Sequence, residues 1–276
     1  MNQKLKIAIC QHPISSDIKA NLVFIIEQIS IAKGQNADIA HFPECNLSSY
    51  AGVDFDNVLD QDSELLKVSI NQIQNKARES KIWVIFGSHH FQNKNKKPFN
   101  SLFLINDKGD IVERYDKRLL AGLNGDLDNY HYKKGESAVT FFIKGIKCAL
   151  LICHEWRYPE LYREYKFQDV QLIFQSFYDG KLSDEEYKKD NGEQGELVVG
   201  TMKGNAANNY LWISISNTPD KESCFPGLLI KPNGHIVAKL KRNKTGVLIH
   251  EIDFDEKFED PSQLNRTKIK RDIYGK

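Results

Sequence analysis

Paired cysteines are missing from this chain. Its five cysteines (Cys10, Cys45, Cys148, Cys153 and Cys224) are odd in number and irregular in spacing over 276 residues, with no Cys-x-x-Cys among them. That argues against a disulfide framework and for a reducing, cytoplasmic setting. Long apolar runs are missing too. None approaches the roughly 20 residues a membrane-spanning helix needs. Net charge is almost absent: 38 basic residues against 37 acidic ones leave +1, with the two signs interspersed. Neither nucleic acid nor an anionic membrane is therefore an expected partner. No phosphate-cradling Gly-rich loop occurs, and no Pro/Gly/Ser linker or shift in composition divides the chain. We expect one domain over residues 1–276, with a charged tail of no clear period from 254 to 276. The N-terminus enters a short strand without an apolar h-region, so no secretory signal is expected.

What is present is a 41% hydrophobic chain, enough for a sizeable core, in which short apolar runs alternate with amphipathic stretches. Strands are expected at 5–10, 38–42, 82–88, 101–105, 111–115, 139–143, 147–152, 170–174, 211–216, 227–230, 235–240 and 246–252. Helices are expected at 21–33, after an Asp62 cap, from Pro159, and at 198–209. The stretch 175–195 reads as polar and irregular. Hairpin signals stand at 106–110, 144–146 and 232–234. Helices alternating with strands and hairpins predict an α/β fold of mixed sheets covered by helices. No repeat is visible between the two halves.

Three strand ends carry chemistry. The strand ending at Ile152 delivers Cys153 into a turn before a helix opened by Pro159. A strand fixes Cβ, while the backbone N–H groups after the cysteine are free to meet a developing oxyanion. Free cysteines are often small buried hydrophobes, and this segment alone fits that equally. The strand at 38–42 ends at Glu44, and the strand at 111–115 ends at Lys117. Taken singly, each suits an ordinary surface ion pair. Adjacent metal-ligand types, as in Cys153-His154-Glu155 and His89-His90, point to different sides of the chain, so no metal site is expected. A cysteine–histidine pair using His41 or His235 is chemically possible, but leaves the glutamate and lysine unused.

In chain order the motifs are Phe42-Pro43-Glu44 with Tyr50, Tyr115-Asp116-Lys117-Arg118-Leu119-Leu120, and Cys153-His154-Glu155-Trp156-Arg157-Tyr158-Pro159-Glu160. This set resembles the nitrilase (carbon–nitrogen hydrolase) superfamily, and more its amidase-like members than its true nitrilases. The resemblance implies a four-layer αββα sandwich of two mixed sheets. It implies Glu44 as general base, Lys117 as oxyanion stabiliser with the backbone N–H of His154, and Cys153 as nucleophile. The substrate would be a small-molecule amide or N-carbamoyl amine, cleaved through a thioester without cofactor or metal. It also implies a homodimer or larger even homo-oligomer. The alternatives are a catalytically silent binding or regulatory member, or a nitrile hydrolase. Many superfamily members carry a second glutamate that hydrogen-bonds the lysine. Here Asp128 stands at that position, with Asp126 as the alternative, in a stretch that ordinary turn chemistry also explains. Tyr50, Trp156, Phe177, Tyr178 and Asp179 are placed near the pocket by their positions after strand ends.

Overall fold

The computed structural model describes residues 3–93, 95–122, 128–179, 184–190, 192–220 and 223–258. β1 (Lys4–Gln11) shows how its layers arise. Leu5, Ile7 and Ile9 lie on one face and Ala8 and Cys10 on the other, all buried. A strand apolar on both faces must be covered on both. The first set packs between two sheets. The second packs beneath α1 (Ile18–Gly34) and α2 (Ser63–Ser80).

The chain continues through β2 (Ile39–His41), β3 (Trp83–His90), the hairpin β4 (Phe99–Ile105) and β5 (Ile111–Asp116), and the single turn α3 (Asp128–His131). It goes on to the hairpin β6 (Thr140–Ile143) and β7 (Ile146–Ile152), then α4 (Pro159–Phe167), β8 (Leu172–Ser176), α5 (Asp184–Asp190), α6 (Glu193–Asn209) and β9 (Trp212–Ser216). It ends in β10 (Leu228–Ile230), β11 (Ile236–Lys239) and β12 (Gly246–Asp253).

The first sheet has the order β12-β1-β2-β3-β4-β5 and the second β11-β10-β9-β8-β7-β6. In the first, β1, β2 and β3 are parallel, β4 and β5 follow antiparallel, and β12 lies antiparallel beside β1. In the second, β7, β8 and β9 are parallel, β10 and β11 follow antiparallel, and β6 lies antiparallel beside β7. The sheets share one plan without a shared sequence, because alternation and crossover geometry set the plan and tolerate any apolar identity. α4 and α6 cover the second sheet with Tyr162, Tyr165, Val198, Met202 and Ala206. The result is the expected αββα sandwich.

Departures from the sequence expectations have local causes. α1 begins at Ile18 because Asp17 caps it, accepting from the N–H groups of Lys19 at 2.8 Å and Ala20 at 3.2 Å. α6 begins at Glu193, ahead of its apolar period, with Glu193 and Glu196 at the positive end of the helix dipole. α5 has no apolar stripe to announce it. β8 sits two residues later than expected, since polar Gln175 and Ser176 end it yet are fully buried. Gln175 Nε2 donates to the Cys153 carbonyl at 3.3 Å, and Ser176 Oγ donates to the Phe42 carbonyl at 2.8 Å. The turn Lys144-Gly145 has two residues, not three, both at positive φ (50° and 82°), as a tight hairpin of this hand requires. Among the described residues no helix is long and apolar enough to cross a membrane.

Candidate active site

In parallel sheets ligands collect beyond the carboxyl ends of the strands, and here the singled-out residues stand at such ends. Glu44 lies in the turn after β2. That turn crosses β3 so closely that a Cβ at Gly87 would come within 2.3 Å of the Cys45 nitrogen and 2.7 Å of the Pro43 carbonyl oxygen. Only a glycine on β3 lets the turn sit there. Lys117 follows β5, its N–H donating to Asn100 O at 2.9 Å and its carbonyl accepting from Gly135 N at 2.8 Å. Cys153 follows β7 and opens a 3-10 turn with φ of 37°. A residue with a Cβ in that region is strained, and such strain concentrates at functional positions.

The side chains of Glu44, Lys117 and Asp128 are completely buried and joined. Lys117 Nζ lies 2.8 Å from Glu44 Oε1 and 2.8 Å from Asp128 Oδ2. It also donates to Tyr50 Oη at 3.4 Å, and Tyr50 in turn donates to Asp128 Oδ1. Asn100 Nδ2 donates to Glu44 Oε1 at 2.7 Å, and Ala121 N to Asp128 Oδ2 at 2.8 Å. The shorter aspartate reaches Lys117 directly because its own N–H is held to the Ala121 carbonyl at 3.2 Å. Asp126, the alternative partner, lies outside the described residues. The backbone N–H of Tyr178, just beyond β8, donates to Glu44 Oε2 at 3.0 Å.

Two carboxylates and one ammonium leave this buried cluster with a negative excess, and the protonation tendencies follow. Burial pushes the Glu44 carboxyl above its ordinary range, and the Lys117 charge only partly offsets this. Burial acts on Asp128 in the same sense, but the Lys117 charge and the bonds from Lys117, Tyr50 and Ala121 hold its carboxyl below the usual value. Burial alone would lower Lys117; the charges of Asp128 and Glu44 outweigh it and hold the ammonium well above the ordinary lysine value. Burial, then the Glu44 charge, raises the Cys153 thiol well above its ordinary value. At rest the cysteine is a thiol, and it needs a base at the moment of attack.

His154 is half-buried, its Nε2 3.4 Å from Tyr158 Oη. His41 is engaged elsewhere, between the sheets, with Nδ1 2.9 Å from Ser214 Oγ and Nε2 3.0 Å from Ser176 Oγ, and burial lowers its pKa to about 3. It is a neutral core histidine, not a partner for Cys153. Trp156 is buried, its carbonyl accepting from Asn205 Nδ2 of α6 at 3.3 Å. Phe177 is likewise buried, against Phe225. Tyr178 packs against Tyr50, ring centroids 5.2 Å apart, with its hydroxyl on Asp54. Asp179 accepts from Cys224 N, and burial raises its pKa to about 6. Asn100 escaped the sequence reading, because a lone asparagine at the start of an apolar strand carries no signal of what it faces across 56 residues.

The family model for carbon–nitrogen hydrolases matches residues 6–257. The chain belongs to the carbon–nitrogen hydrolase family. It is 24% identical to the 2-oxoglutaramate amidase of Bacillus subtilis (strain 168), covering 91% of this chain and 90% of that protein. It is 25% identical to an omega-amidase of Mus musculus, covering 98% and 96%. Its fold matches that of an amidase from Nesterenkonia sp. AN1 with the fluoroacetamide acetamide moiety on the active-site cysteine, at a TM-score of 0.77, 18% identity and 91% of each chain. The αββα architecture is thus a family property of this carbon–nitrogen hydrolase.

Proposed function

We propose that this carbon–nitrogen hydrolase cleaves a small-molecule amide or N-carbamoyl amine through a thioester on Cys153. The observation that carries this is the buried cluster in which Lys117 Nζ bridges Glu44 and Asp128, with the Glu44 and Lys117 charges both acting on the Cys153 thiol. The relatives named above are amidases, and a structural relative carries a covalent adduct on its cysteine.

The chemistry runs as follows. Cys153 Sγ attacks the carbonyl carbon while its proton passes to Glu44. A raised Glu44 is a better base for a raised thiol, and the negative charge passes from Glu44 through the sulfur to the carbonyl oxygen. The carbonyl oxygen becomes an oxyanion beside the Lys117 ammonium and the His154 N–H. Such a donor contributes about 3–4 kcal/mol to the transition state. Glu44 returns the proton to the departing amine, leaving a thioester. Glu44 then takes a proton from water, the hydroxide adds to the thioester, and the acid leaves as Cys153 regains its proton. The test is a mass-spectrometric screen of small amides and N-carbamoyl amines, joined to iodoacetamide labelling. Turnover with Cys153 labelled ahead of the four buried cysteines supports this function. Uniform slow labelling without turnover supports a silent binding protein.

Asp128 holds Lys117 cationic and oriented. Asp128→Asn should lower kcat by more than about 10-fold in a variant that still folds, since a neutral amide of equal shape removes the charge while Lys117 stays paired with Glu44. Wild-type turnover would return Asp128 to a structural turn. The pH profile has a defined sense. Glu44 works as the carboxylate, so kcat/KM should fall as pH drops through a value above the ordinary 4.5 of a glutamate. Lys117 and Cys153 are both raised, so no alkaline limb is expected below about pH 9. An acid limb at or below 4.5 would remove Glu44 as the base. For assembly, we propose an even homo-oligomer pairing through the helical face of α4, and sedimentation at the 31.7 kDa of one chain would overturn it.

A further inference from the structure

Glu155 is fully buried two residues beyond Cys153, and its carboxylate is spent on main chain from both sides of the site. Its Oε2 accepts the N–H of Ile152, the residue before Cys153, at 2.7 Å. Its Oε1 accepts the N–H groups of Arg118 at 2.7 Å and Leu119 at 3.2 Å, the two residues after Lys117. The same oxygen accepts the Tyr115 hydroxyl at 2.7 Å, from two residues before Lys117. We propose that Glu155 is a positioning residue that sets the separation between the Lys117 ammonium and the Cys153 sulfur. It has this task only if Cys153 and Lys117 have the roles given above.

Lys117 ends a strand of the first sheet and Cys153 a strand of the second. Between the sheets lie mainly apolar side chains, whose burial resists separation but is non-directional and does little to fix lateral register. The Glu155 carboxylate supplies a directional tie where register matters. It acts on Cys153 as well. The bond from Ile152 N to Glu155 closes a ring around Cys153 and holds that residue at its positive φ. Four donors converge on two oxygens, so the tie needs an acceptor on both. Glutamine has one acceptor oxygen and an NH₂ group. The NH₂ must face either the Ile152 N–H or the Arg118 and Leu119 N–H groups, leaving buried donors unsatisfied on one side. Aspartate keeps both acceptors but is a methylene short, and it can serve one side only.

Glu155→Gln, Glu155→Asp and Tyr115→Phe test this, with kcat, KM, folded fraction by circular dichroism, and Cys153 labelling stoichiometry measured on an amide that the wild type hydrolyses. Glu155→Gln should lose about 10²-fold in kcat, the scale of an ångström of misplacement. KM should stay within about three-fold and Cys153 should label stoichiometrically. Glu155→Asp should lose at least about 10-fold. Tyr115→Phe removes one donor, leaves both main-chain ties, and should stay within about three-fold of wild type in kcat. Wild-type kcat in either folded Glu155 variant overturns the proposal, as does activity lost only in proportion to unfolded protein. Failure of both variants to fold also overturns it, assigning Glu155 to stability alone. A wild type inert toward every amide and N-carbamoyl amine would instead remove the functional proposal, a result that needs no variant.

Discussion

Cys153→Ala is expected to reduce kcat by at least about 10⁴-fold, because no other group can form the covalent intermediate and only positioning and oxyanion stabilisation remain. The fold should survive. Alanine also has a Cβ, so the strain at φ of 37° is unchanged, and only a half-buried sulfur is lost. A melting temperature within a few degrees of wild type is the expected control, a single small truncation being worth about 1 kcal/mol. Intact mass after an acid quench should show an acyl adduct on wild type during turnover and none on the variant. If the folded variant keeps more than a few per cent of the activity, Cys153 is not the nucleophile and the thioester route falls with it.

Lys117→Ala should show the second largest effect, in two independent readouts. Loss of the oxyanion donor should lower kcat by at least about 10²-fold. Loss of the cation leaves Glu44 and Asp128 buried without their shared partner, and breaking such a buried pair costs about 3–5 kcal/mol. The pH dependence carries a sign that identifies the cause. In wild type, Asp128 is held below its ordinary value, so its contribution to stability is lost as pH falls through that lowered value. Without Lys117 the two carboxyls, pushed up by burial and mutual repulsion, take up protons on folding. The variant should therefore gain stability as pH falls from 7 toward 5, read as a rising urea midpoint. A midpoint that falls over that interval would show that the ammonium does not hold the cluster together, and an unchanged kcat would show that it does not stabilise the oxyanion.

Much of this site was legible because its signals are local. A strand that ends abruptly at a reactive or charged residue is visible in ten residues, and Glu44, Lys117 and Cys153 each have that context. Asp128 was half legible. Its distance from Gly135 suggested it, yet the same residues make an ordinary turn, and the 2.8 Å approach to Lys117 Nζ depends on how 121 and 128 are tied. Asn100 and the tie made by Glu155 were not legible. Glu155 stood in the motif as one more charged residue, and its four donors come from 3 to 40 residues away. The end of β8 was misplaced for a related reason: Gln175 and Ser176 are polar because they brace the Cys153 and Phe42 carbonyls.

The sequence by itself determined that Glu44, Lys117 and Cys153 follow strand ends, through apolar period and turn chemistry, which act over a few bonds. It determined that both faces of β1 must be covered, since apolar residues occupy both. The tertiary structure decided which strand ends meet. It put a lysine from the edge of one sheet beside two carboxylates 73 and 11 positions away in the chain, and brought the lysine and Glu44 near enough to a thiol from the other sheet for their charges to act on it. Periodicity dictates which face of a strand is buried but not what lies opposite it. The ionic state of each group was decided there as well. A carboxyl, an ammonium and a thiol have ordinary affinities for protons in water, and only burial and neighbouring charges raised Glu44, Lys117 and Cys153 while holding Asp128 down.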